Sequence, residues 1–123
     1  MTITTNADQA RKDMSGRENT EIYISRYGTN DADAFRYCNG FVFKHGKQGY
    51  LGSTGEWKML NDNRSKVNKY LSNVSAQIPD GGYWTSVQYD SYDAWEWVYQ
   101  QNGMLYRYSR PSTRNVVPFA PLK

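Results

Sequence analysis

The chain has 123 residues, 38% hydrophobic and 22% charged, with a mean hydropathy of -0.86 and a formal net charge of +3. That is material for one domain, given about 100–200 residues per domain, and no apolar run approaches the ~18–20 residues of a membrane span. A single Cys (Cys38) and a single His (His45) exclude an internal disulfide and a Cys/His zinc centre. Aromatic residues make up 15%, with eleven Tyr and four Trp, a content that a disordered chain lacks.

Residues 1–14 are polar and show neither helix nor strand period, so they read as an extended arm or linker ahead of a domain over 15–123. Met1-Thr2-Ile3-Thr4-Thr5-Asn6 has no basic region followed by an apolar core, unlike a secretory signal. From Glu18 to Tyr27 a helix is expected, with Ile22, Tyr23 and Tyr27 on one face, Ser15 or Asn19 at its start and Gly28 at its end. A short helix follows through Ala34, Phe35, Tyr37 and Cys38, stopped at Asn39-Gly40. Cys38 reads as a small buried apolar residue on that helix. Phe41-Val42-Phe43 is a strand candidate leading to a turn at His45-Gly46, and His45 reads as a solvated loop residue rather than a catalytic one.

Ser53-Thr54-Gly55-Glu56 is the clearest local signal. A Ser followed three residues later by Glu forms a capping box, each side chain satisfying a backbone N–H of the other residue. The helix it opens should turn Trp57, Met59 and Leu60 inward. A further helix runs through Val67, Tyr70, Leu71 and Val74, with Lys66, Asn68 and Lys69 outside. Pro79-Asp80-Gly81-Gly82 is a turn that closes the helical half. Strands are expected over Tyr83–Val87 and Ala94–Tyr99. Asn102-Gly103 is the preferred centre of a type I′ hairpin turn, from which Met104–Tyr108 returns. Val116-Val117-Pro118-Phe119 is a last strand, and Pro118 confines it to an edge or a strand end.

Alternation puts Trp95 and Trp97 on one strand face, packed against the helices, and Glu96 on the opposite, solvent face. Between Tyr83 and Tyr108 stand six Tyr and three Trp. The expectation is that these rings exceed what the interior absorbs, so that a surplus faces outward. Gln88-Tyr89-Asp90-Ser91-Tyr92-Asp93 has no aliphatic residue. Rigid tyrosines mixed with Ser and Asp suit a binding surface, since Tyr offers contact area at low entropy cost. Sugar rings also stack on such faces. The candidate ligand-binding residues are Tyr89, Asp90, Tyr92, Asp93, Tyr106, Tyr108 and Arg110. Asp90, Asp93 and Glu96 do not amount to the paired carboxyls of a glycosidase, because no apolar pocket can be argued that would raise one pKa. No metal and no cofactor are expected. Lys44, Lys47, Lys58, Arg64, Lys66 and Lys69 are interrupted by Glu56 and Asp62, and Arg107, Arg110 and Arg114 form a second loose group. Both read as solvated surface rather than a nucleic-acid face, with single strands stacking on aromatic rings near the basic residues as the minor alternative.

In order along the chain, Asp13–Thr20 (DMSGRENT), Ala34–Cys38 (AFRYC), Gly49–Trp57 (GYLGSTGEW), Tyr83-Trp84-Thr85-Ser86, Ala94-Trp95 and Val116-Val117-Pro118 resemble the Lcl C-terminal-like domain family, related to C-type-lectin-like folds and to formylglycine-generating enzymes. The likeness spans about residues 13–120. It implies an α+β, C-type-lectin-like domain with helices packed on a small twisted antiparallel sheet. It also implies display on bacterial surface or phage proteins, for adhesion or receptor binding. The family often has Pro where Gly52 stands and Arg where Val117 stands. The calcium-dependent sugar motifs of true C-type lectins are absent, and one Cys cannot supply the paired cysteines of the enzyme relatives.

The expected function is therefore non-enzymatic recognition of a bacterial cell-surface glycan or protein by a virion component, a fibre or decoration protein. The N-terminal arm would hold it to other virion subunits, and a homo-oligomer is expected. The alternatives are a purely structural virion protein (capsid, tail or fibre building block) and an adhesin module of a bacterial surface protein.

Overall fold

The computed structural model describes residues 2–27, 34–44, 46–72, 78–90, 93–100, 103–109 and 115–120, with the side chains of 70–72 and 108–109 excepted. In chain order these form α1 (Ala7–Lys12), α2 (Gly16–Tyr27), α3 (Ala34–Asn39), β1 (Tyr50–Leu51), α4 (Thr54–Asp62), α5 (Arg64–Ser72), β2 (Gly81–Gln88), β3 (Asp93–Tyr99), β4 (Met104–Ser109) and β5 (Pro118–Phe119). The class is α+β with two small antiparallel sheets. One has the order β2-β3-β4, and the other pairs β1 with β5, Tyr50 opposite Phe119 and Leu51 opposite Pro118. Pro118, lacking an N–H, opens its strand, as the sequence led us to expect.

The Ser53–Glu56 capping box is present, and its atoms reach well beyond the helix end. Ser53 Oγ accepts from Glu56 N and donates to the Asp13 carbonyl. Glu56 Oε1 accepts from Ser53 N at 2.9 Å and from Gly16 N at 3.1 Å, while Oε2 accepts from the Tyr50 hydroxyl at 2.8 Å. One carboxylate thus ties together the N-termini of α2 and α4 and strand β1. Trp57, one residue on, is fully buried at the centre of the main cluster. Its ring lies 4.7 Å from that of Tyr83, 5.9 Å from Tyr99 and 5.1 Å from Phe119, with Trp97 completing the cluster. Among the described residues its indole N–H has no hydrogen-bond partner. That omission costs about 1–3 kcal/mol and is outweighed by the ~3–5 kcal/mol that a buried Trp contributes through packing.

A second cluster joins Ala10 of α1, Val87 of β2 and Trp95 of β3. A third joins Phe35 and Cys38 of α3 to Leu51 of β1, with Tyr23 stacked on Phe35 at 4.0 Å. Small polar side chains fill the seam between α2 and the strands. Asn19 Nδ2 donates to Ser86 Oγ, Thr20 Oγ1 accepts from Leu51 N, and Ser86 N donates to the Gly52 carbonyl. A bulge makes this seam. Trp84 pairs with Glu96 and Gln88 with Ala94, so β2 spends four residues where β3 spends two, and the Thr85 hydroxyl donates to the Trp95 carbonyl in the gap.

Several expectations are corrected. Residues 2–13 are part of the domain and not an extended arm. Ile3 bridges Gln88 in parallel, Thr4 N donates to the Gln88 carbonyl, Asn6 caps α1, and Ala10 is fully buried. Backbone hydrogen bonds and one buried methyl hold this segment, and neither leaves a hydropathy period to read. Met59 is 54% exposed and points away from the core that Trp57 enters. Glu96 is only 6% exposed, not on a solvent face, because Gly82, diagonal to it on β2 and paired with Val98, leaves room for its carboxylate.

The surplus of outward rings is also smaller than expected. Beyond residue 82, Tyr83, Trp95, Trp97 and Tyr99 are buried and Trp84, Tyr89 and Phe119 partly buried. Among the described aromatic side chains of this stretch only Tyr106 is exposed. β3 is a central strand covered on both faces, and absorbs more aromatic surface than an edge would. Val67 of α5 is partly buried, whereas Tyr70, Leu71 and Val74 lie outside the described side chains, as does His45.

Two predictions follow from the Glu56 junction and the buried tyrosines. A Cβ at Gly16 would fall 2.2 Å from Glu56 Oε1 and 2.9 Å from both Leu51 O and Ser53 N. Gly16→Ala should therefore lower unfolding free energy by about 1–3 kcal/mol, read by urea denaturation. Tyr50, Tyr83 and Tyr99 have hydroxyl pKa values pushed above the ordinary 10.0, chiefly by burial, and in Tyr50 next by donation to Glu56. The folded state then keeps protons that the unfolded chain releases, so their stabilisation is complete below pH 10.0 and declines above it. Urea midpoints should drop as pH climbs past that value, and Tyr50→Phe should make the decline shallower.

Candidate functional site

Those of the expected binding residues that the structure describes lie on the β2–β3 hairpin and on β4, and the sheet register decides which of them meet. A two-residue turn at Asn102-Gly103 would set Trp97 opposite Tyr108 and Trp95 opposite Arg110. The observed register sets Trp97 opposite Leu105 and Trp95 opposite Arg107. A shift of three residues, an odd number, exchanges the faces of β4.

Helix α4 holds this register. Asn61, buried, accepts from Trp97 Nε1 at 2.7 Å and donates to the Gln100 carbonyl at 2.8 Å. Gly103 packs so closely on Asn61 that a Cβ would fall 2.3 Å from Oδ1. Tyr99 is fully buried and extends β3 alongside Gly81. The reach of β3 and the amide of Asn61 override the local preference of the Asn-Gly pair.

Arg107 consequently stands on the face of Trp95. Its guanidinium carbon is 4.4 Å from the centroid of the Tyr89 ring, and that ring meets Trp95 edge to face at 5.3 Å. Trp95 Nε1 donates to the Thr4 carbonyl at 2.9 Å, so the N-terminal segment fixes the base of the stack. Arg107 makes no ion pair among the described residues. The result is an exposed cation over an aromatic ring whose neighbour Trp95 is anchored from below. Its N–H donors suit carbonyl, carboxylate or hydroxyl oxygens.

Asp90 and Asp93 close the hairpin beside this platform. Asp90 Oδ1 accepts from Asp93 N at 2.7 Å, and the Asp93 carbonyl accepts from both Tyr89 N and Asp90 N. The Asp90 carboxylate therefore shapes the turn. Asp93 is partly buried at the start of β3.

Tyr106 falls on the other face, in a cross-strand row with Glu96 and Trp84. It is 45% exposed, and its hydroxyl meets Met104 Sδ at 3.4 Å. The structure thus brings Tyr89, Asp90 and Asp93 together and separates Tyr106 from them. The backbone of Tyr108 pairs with Ala94, but its side chain lies outside the described residues, as do Tyr92 and Arg110.

Arg107 was legible only as one of a loose basic group. Its signal, a position opposite Trp95, exists only once the register is known. No group of three or more His, Cys, Asp or Glu among the described residues is arranged to hold a metal ion, and no described helix is long and apolar enough to cross a membrane. No family model, curated protein or solved structure matches the chain.

If Tyr89 shields Trp95 as described, Tyr89→Ala should move the 19F resonance of Trp95 in 5-fluorotryptophan-labelled protein. The resonance of Trp57, in the separate central cluster, should stay in place.

Proposed function

We propose that the chain is a non-enzymatic recognition domain of the C-type-lectin-like kind, displayed on a phage virion as a fibre or decoration protein. It binds a bacterial surface glycan or protein through the platform of Tyr89 and Arg107 and the adjoining Asp93. The observation that carries this reading is the exposed Arg107 guanidinium, its carbon 4.4 Å from the centroid of the Tyr89 ring. An aromatic face with N–H donors beside a carboxylate offers a sugar ring or a polar loop both stacking and hydrogen bonds, from groups that lose little freedom on binding. The α+β architecture with small antiparallel sheets accords with the motif resemblance. The reading rests on this one preorganised unit and not on a general excess of rings.

Adsorption of the labelled protein to bacterial cells, together with glycan-array binding, tests the proposal. Tyr89→Ala and Arg107→Ala should each weaken binding at least about tenfold, corresponding to about 1.4 kcal/mol. Tyr106→Ala, on the opposite face, should stay within about twofold. Unchanged binding by the first two variants would remove the platform from consideration.

A further inference from the structure

A second surface lies at α3 and the hairpin that follows it. α3 packs on α2, β1 and β5, and its cluster of Phe35, Cys38 and Leu51 is separate from the one beneath Tyr89. Past that cluster the chain leaves apolar side chains uncovered: Tyr37 is 58% exposed, Phe41 40% and Val42 64%. Phe41 and Phe43 share an edge-to-face contact at 4.8 Å.

The backbone around them is ordered as a hairpin. Phe43 N donates to the Lys47 carbonyl at 2.9 Å, Gly49 N to the Phe41 carbonyl at 2.7 Å and Gly46 N to the Phe43 carbonyl at 2.8 Å, with Gly46 at a φ of 84° that suits glycine. Val42 bridges Gln48, and the residues flanking Val42 supply the bonds of that bridge. Its own N–H and C=O therefore point away from the hairpin, as on the free edge of a sheet, and they bond to no other described backbone group.

Charge selects the occupant. Residues 34–55 contain Arg36, Lys44 and Lys47 and no Asp or Glu, a formal +3 that equals the net charge of the whole chain. Lys44 and Lys47 are exposed, and neither makes an ion pair among the described residues. A second copy docked symmetrically would set these cations against each other. Nucleic acid would meet only two lysines that make no ion pair among the described residues, too few phosphate contacts to hold a strand.

We propose that the hairpin over 41–48 and the exposed side of α3 form a docking surface for an acidic protein segment. The segment adds in extended form along the Val42 edge, its main chain bonding the free Val42 N–H and C=O, its apolar residues on one face and its carboxylates toward Lys44 and Lys47. This is strand addition, in which main-chain bonds supply affinity and alternate side chains supply selectivity. The surface is independent of the Tyr89–Arg107 platform.

The test uses the full chain, 15N-labelled, titrated with a peptide of about ten alternating Glu and Val residues. Controls are the same peptide with Lys for Glu, and an oligothymidylate. The Glu peptide should shift the amide resonances of Phe41–Lys44 and Lys47–Gln48. Both Val42→Glu and the double variant Lys44→Glu/Lys47→Glu should weaken it at least about tenfold, with unchanged melting temperatures because these side chains are exposed. Stationary hairpin resonances, equal binding of the Lys peptide or tighter binding of the oligothymidylate would each overturn the proposal. So would concentration-dependent dimerisation abolished by Val42→Glu, in favour of self-association. No cell or glycan enters the experiment, so its failure leaves the platform reading standing and the converse also holds.

Discussion

Three donors from three segments converge on Glu56: Gly16 N at the start of α2, Ser53 N at the cap of α4 and the Tyr50 hydroxyl of β1. Ser53 adds a link of its own to the Asp13 carbonyl, which also accepts from Gly55 N. A capping box ordinarily satisfies two N–H groups at one helix end. Here the same two side chains set where α2 begins and where β1 runs. The next residue, Trp57, then has a defined place from which to gather Tyr83, Tyr99, Trp97 and Phe119. The carboxylate supplies direction and the indole supplies the packing energy.

Around that centre the domain uses polar seams where a larger protein would use aliphatic ones. Asn19, Thr20, Ser53, Thr85 and Ser86 are all buried around α2, α4 and β2. Paired hydrogen bonds add only about 1 kcal/mol each to stability, but an unpaired buried group costs more. Such a seam therefore discriminates between arrangements more strongly than it stabilises any one of them. It also explains how a chain with a mean hydropathy of -0.86 has a packed interior. The apolar work is concentrated in a few large rings, and the space between is closed by short hydroxyls and amides.

The two surfaces argued for differ in kind. Around Tyr89 the features are rigid and polar: a guanidinium over an aromatic ring, a turn closed by Asp90 and a base held by the Thr4 carbonyl. Around Val42 they are apolar, basic and edged with open backbone groups. The first suits a ligand read by hydrogen bonds and ring stacking, the second a protein strand.

Local chemistry was enough to determine several elements. The Ser53–Glu56 box, the stop at Gly40, the alternation that puts Trp95 and Trp97 on one inward face, and the confinement of Pro118 to the start of an edge strand depend on neighbours a few residues away. Short-range sterics and hydrogen bonding settle such features. What only the tertiary structure decided depends on partners far along the chain. Thr2–Thr4 are held by Gln88, the β3–β4 register by Asn61, the burial of Glu96 by the bare backbone of Gly82, and the meeting of Arg107 with Tyr89 by that register. An Asn-Gly pair can state a preference for a turn. It has no means of knowing that a helix forty residues earlier holds an amide that outweighs it.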